Sequence, residues 1–114
     1  MNNAKWRKLF IAWAKSSIKI EYSEWFFIDS EGKQVHPLPI EANLMEKRFS
    51  DGQFQPFEYK WIRSIFIPKR FRPIVNVGFE IIQDTEGLKE VAQKIGSFPI
   101  FDAKDGIEIR GYEK

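Results

Sequence analysis

The stretch Trp13-Ala14-Lys15-Ser16-Ser17-Ile18-Lys19-Ile20-Glu21-Tyr22 changes its hydrophobic period partway along. Up to Trp13, apolar residues recur at helical spacing: Trp6, Leu9, Phe10 and Trp13 stand at i, i+3, i+4 and i+7. Beyond Ser16-Ser17, Ile18, Ile20 and Tyr22 alternate with Lys19, Glu21 and Ser23, the two-residue period of a half-buried strand. One chain that spends an amphipathic helix and then an alternating strand must pack the first on the second. The spacing predicts a helix over 3–15, with Asn3 as its cap.

The same alternation continues outward. Trp25–Ile28 extends the strand, and Asp29-Ser30-Glu31-Gly32-Lys33 is a turn with glycine where a left-handed residue is needed, so the chain is expected to return through Gln34–Leu38. Pro37 and Pro39 mark that arm as an edge or its end. Residues 41–55 are ambiguous, with Glu41–Phe49 able to form a short helix before Ser50-Asp51-Gly52. Phe57, Tyr59, Trp61, Ile65 and Ile67 share one parity of a long strand, interrupted by Arg63, that Pro68 stops. Val75, Val77, Phe79 and Ile81 alternate again, with Gly78 a candidate bulge. Asp84 or Thr85 caps a second helix with stripe Leu88, Val91, Ala92 and Ile95, closed by Gly96. Phe98–Phe101 and Ile107–Tyr112 form a last hairpin about Asp102–Gly106. The expected fold is a single α+β domain over 1–114. It has a mainly antiparallel sheet of five to six strands, an N-terminal helix and a second helix before the last hairpin.

Composition narrows the function. Hydrophobic residues make up 43%, with 11 Phe, 4 Trp and 3 Tyr, enough for one core. The absence of cysteine removes disulfides, thiolate metal sites and cysteine nucleophiles, and suits a reducing compartment. No apolar leader follows the charged start and no run is long enough to span a bilayer, so a cytoplasmic protein without membrane attachment is expected. Net charge is +2, but it comes in blocks: +5 over 1–20, −5 over 21–46, +5 over 47–73 and −3 over 74–114. These blocks either segregate into faces or interleave and cancel.

Chemistry is sparsely signalled. His36 is the sole histidine, and a Ser-His-Asp arrangement would need it beside both partners. Asp51 followed by Glu58-Tyr59-Lys60 matches an acid and acid-x-Lys pattern, in which carboxylates hold Mg²⁺ and the lysine polarises the attacked phosphate. The same triplet recurs at Glu31-Gly32-Lys33 and Asp102-Ala103-Lys104, as alternating charges on strands produce it unaided. Asp102 and Asp105 are explained by a turn. No cofactor or metal site is expected, and the chain is read as a non-enzyme.

Two surfaces stand out as binding candidates. The acids of the first hairpin, Glu21, Glu24, Asp29 and Glu31, suit a protein partner. Lys69, Arg70, Phe71 and Arg72, between two prolines, suit a nucleic acid: cations for phosphate and an aromatic for an unpaired base. Trp6 and Trp13 are expected to pack on the sheet, the alternative being that one is an exposed anchor.

Asn2-Asn3-Ala4-Lys5-Trp6-Arg7-Lys8-Leu9-Phe10 resembles the opening of a small bacterial family of unknown function, in which an Asn-Asn-x-Lys-Trp pattern starts the first helix. Tyr59-Lys60-Trp61-Ile62 and Asp105-Gly106-Ile107-Glu108-Ile109-Arg110-Gly111-Tyr112 are similar to its central and terminal segments. The central strand departs from that family by lacking its acidic, tryptophan-rich continuation. Small proteins of this kind resemble immunity proteins of bacterial toxin systems. The resemblance implies a protein that blocks a toxin by occlusion, with no catalytic residues to carry over. The expectation is therefore a protein-binding, immunity or antitoxin-like inhibitor. A nucleic-acid-binding domain is the alternative, and a metal-dependent nuclease at Asp51, Glu58 and Lys60 the remote one.

Overall fold

The structure, a computed structural model, describes residues 2–28, 32–36, 38–39, 48–49, 57–71 and 80–111. Helix α1 spans Asn3–Lys15. Its cap is Asn2 rather than Asn3: the Asn2 side-chain oxygen accepts from the Lys5 N–H at 2.8 Å, satisfying one of the orphan donors of the first turn. The predicted stripe is the buried one, with Trp6, Leu9, Phe10 and Trp13 all in the core, so neither tryptophan is an exposed anchor.

Strand β1 is Glu24–Phe27 and begins later than the alternation suggests. Residues 18–23 join no ladder, because the Glu21 and Tyr22 N–H groups donate to the Gln83 side-chain oxygen instead of a neighbouring strand. The return arm is β2, Gln34–Val35, which pairs antiparallel with β1. Ribbon β3–β4 joins Arg48–Phe49 to Phe57–Glu58, so the end of the segment read as a possible helix is strand; residues 41–47 lie outside those described.

The long strand predicted over 57–67 is broken. Tyr59–Trp61 forms a 3₁₀ turn before β5, Ile62–Pro68. That turn leaves Trp61 38% exposed and buries Ile62, and a register irregularity between Ile62 and Ser64 returns Ile65 and Ile67 to the core parity. Strand β6, Arg70–Phe71, pairs with β7, Ile81–Ile82. Of the alternation predicted over 75–82, Val75, Val77, Gly78 and Phe79 lie outside the described residues.

Helix α2, Thr85–Ile95, is capped by Asp84, whose carboxylate accepts from the Gly87 N–H at 2.9 Å. The last hairpin is β8, Ile100–Ala103, and β9, Gly106–Arg110. At its turn, Asp105 takes a left-handed φ of 63°, a conformation aspartate tolerates better than most residues.

The main sheet runs β2-β1-β5-β9-β8, every neighbour antiparallel. With two helices laid on it, this is the α+β class expected. Trp25, Ile65, Ile109 and Ile100 form one transverse row facing the helices. Phe10 is the hub of the packing, stacked on Trp6 at 5.3 Å and on Trp25 at 5.8 Å between ring centroids. Helix α2 contributes Leu88 and Ala92 to the same core, and its Leu88 carbonyl accepts from the Trp13 indole N–H at 3.0 Å.

Candidate functional site

Because side chains alternate across a strand, residues one step out of phase with the core row point to the opposite face. Register places Val35, Glu24, Phe66, Glu108 and Phe101 in one line across all five strands. Both helices bury their stripes on the other side of the sheet. Val35 is 52% and Phe101 45% exposed, while Glu24, Phe66 and Glu108 are half-buried between them. The face thus alternates apolar, acidic, apolar, acidic, apolar.

Each acid of this row is held by a cation beside it. Lys33 Nζ is 3.2 Å from the Glu24 carboxylate, and that bond raises the lysine's pKa. Arg110 Nε is 2.7 Å from the Glu108 carboxylate, and its guanidinium lies 4.4 Å from the centre of the Phe101 ring. The Tyr22 hydroxyl donates to Glu24 at 2.7 Å. Partial burial, and then that carboxylate, push the Tyr22 pKa above its ordinary value. The phenol therefore stays protonated and donating throughout the neutral range.

The two surfaces expected as rivals meet here. Phe71, from the basic segment, stacks on Tyr22, from the acidic one, at 4.9 Å and 22°. Gln83 is buried and locks the junction. Its oxygen accepts from the Glu21 and Tyr22 N–H groups, and its amide donates to the Tyr22 and Pro68 carbonyls. One face of the Phe71 ring is thereby engaged by tyrosine. Lys69 and Arg70 are exposed, and the Arg70 guanidinium stands 4.0 Å from Glu80. The Lys69 N–H donates to the Asp105 carbonyl, so the basic segment is fixed to the β8–β9 turn as part of a ribbon. Glu21 is exposed. Asp29, Glu31 and Arg72 lie outside the described residues.

Of the acid and acid-x-Lys set, Asp51 is outside the described residues, and Glu58 and Lys60 form a surface pair at 3.7 Å. The His36 ring is 3.0 Å from the Gln34 side-chain oxygen and stands edge-on to Trp25 and Phe27. Among the described residues no three acids or histidines converge as a metal would require, and no helix is long and apolar enough to cross a membrane.

Sequence reasoning missed Phe66, Phe101, Glu108 and Arg110. Their parity in the two strands was legible, but parity says only that a residue opposes its neighbour, not which face the helices cover. Comparison with protein-family models, with curated proteins and with solved structures finds no match to this chain.

Proposed function

We propose that the protein is a non-enzymatic binding module that docks a protein partner on the face of its sheet opposite the two described helices. Its setting would be that of an immunity or antitoxin-like inhibitor in a bacterial toxin system. The observation that supports this is the mixed row Val35, Glu24, Phe66, Glu108, Phe101. Half-buried aromatics flanked by acids suit a partner surface with an apolar anchor ringed by lysine or arginine. The cations now on those acids are exposed, and solvent screens such surface ion pairs, so a partner's cations can displace Lys33 and Arg110. Occlusion of a basic toxin surface needs nothing more than this complementarity.

The test is affinity capture of the tagged chain from its source cells, with nuclease and moderate salt, beside Glu108→Lys and Phe101→Asp. Both positions are at least partly exposed, so the variants should fold, which a thermal melt checks. The expected result is a stoichiometric protein partner retained by the parent chain and bound at least about a hundredfold more weakly by either variant. Retention by both variants would reject the face. Capture that vanishes on nuclease treatment, and that Arg70→Glu abolishes, would establish nucleic acid as the partner instead.

A further inference from the structure

We infer that the outward side of α1 is a second docking surface, independent of the sheet face and basic where that face pairs its acids with cations, which takes an acidic amphipathic helix of a partner protein. An open groove of about 680 Å³ lies along it. The described residues lining it are Asn3, Ala4, Arg7, Lys8, Ile11, Ala12, Lys15 and, from the end of α2, Ile95. Those of α1 recur at spacings of three and four, so they form a stripe of their own, turned away from the buried one.

Four features select the occupant. Arg7, Lys8 and Lys15 line the groove and no acid does; residues 1–20 contain none at all. Neither Arg7 nor Lys8 has an ion-pair partner among the described residues, whereas the cations of the sheet face are paired. The floor is Ala4, Ile11, Ala12 and Ile95, small and branched apolar groups that admit another helix closely, as the a and d positions of paired helices do. The groove follows α1 for about 18 Å of helical rise, an elongated track that suits a rod more than a compact ligand. Together these favour an acidic helix over a lipid surface or a nucleic acid. Such a partner sits on the far side of the molecule from the sheet face, so the two surfaces can be occupied together.

The experiment uses the full chain with isotope-labelled isoleucine methyl groups. The probes are a synthetic helix-forming peptide with leucine at helical spacing and glutamate elsewhere, its scrambled counterpart, polyglutamate, phosphatidylglycerol vesicles and a single-stranded oligonucleotide. Saturable shifts of Ile11 and Ile95 with the first peptide are expected. Binding should be about tenfold or more weaker with the scrambled peptide, and likewise with the doubly substituted Arg7→Glu, Lys8→Glu chain. Both substituted residues are exposed, and an unchanged melt of that variant shows that it is folded. No saturable shift at millimolar peptide overturns the inference. So does an equal response to polyglutamate, which would mean simple polyanion attraction, or a response confined to vesicles or to the oligonucleotide.

Discussion

The Tyr22 ring lies on the Phe71 ring with centroids 4.9 Å apart, so an acidic segment and a basic one that are far apart in sequence share one aromatic contact. Its strength is measurable. In a double-mutant cycle of Tyr22→Ala and Phe71→Ala, read by urea unfolding, the coupling should be about 0.5–1.5 kcal/mol. Tyr22→Phe keeps the stack and loses only the bond to Glu24, so its cost should be smaller than that of Tyr22→Ala.

Gln83 should be among the most sensitive positions outside the apolar core. Its side chain makes four hydrogen bonds to backbone groups of residues 21, 22 and 68 from a nearly inaccessible position. Gln83→Ala strands buried donors and acceptors, each at a cost of about 1–3 kcal/mol, so a loss of roughly 3 kcal/mol or more in denaturant is expected. Gln83→Glu keeps the acceptor but not the donor. It also sets a buried carboxylate oxygen against the Tyr22 and Pro68 carbonyls, so at neutral pH it should be no more stable than the alanine variant, and stability as high as the parent's would show that the amide donor contributes nothing.

Gly111 is required by proximity. A Cβ there would meet the Ile62 carbonyl oxygen and stand 2.8 Å from the Trp6 ring, and the Gly111 N–H already donates to the Arg63 carbonyl at 2.8 Å. Gly111→Ala is expected to cost about 1–3 kcal/mol by forcing β9 off β5 or Trp6 out of its seat. Gly32 is the control: its φ of 78° strains an alanine by about 1–2 kcal/mol, but the space beside it is open. Melting curves should therefore show Gly32→Ala losing backbone strain energy alone, while Gly111→Ala also shifts the near-ultraviolet tryptophan signal.

Tyr59 sets an alkaline limit. Burial pushes its pKa up to about 12. The unfolded chain gives up this proton near the ordinary value of 10, below the folded protein, so the native state holds more protons between those values. Stability from this group is complete below pH 10 and is lost as pH rises through 10 to 12, a decline on the order of 2 kcal/mol. Thermal melts across that range should show it, and Tyr59→Phe should flatten the slope. An identical slope in the variant would assign the decline to other groups.

Much of the fold was legible for a physical reason that is local. The helix stripes Trp6-Leu9-Phe10-Trp13 and Leu88-Val91-Ala92-Ile95, and the alternation in the last hairpin, follow from backbone geometry acting over a few residues. The misreadings share a cause that is not local. Ile18–Tyr22 has a strand's pattern, but Gln83 takes its N–H groups. Trp61 has the parity of the core, but one 3₁₀ turn at Tyr59–Trp61 rotates it out to solvent.

The sequence by itself determined the class, the position of both helices, the order of the hairpins and the identity of most core residues, because hydrophobic spacing encodes which side of each element is apolar. Only the tertiary structure decided which charges and aromatics share a surface. Val35, Glu24, Phe66, Glu108 and Phe101 become neighbours through strand register. Tyr22 meets Phe71 through a buried glutamine that joins segments some sixty residues apart. A binding face is a property of such juxtapositions, and a one-dimensional pattern holds no term for distances between residues that folding alone brings together.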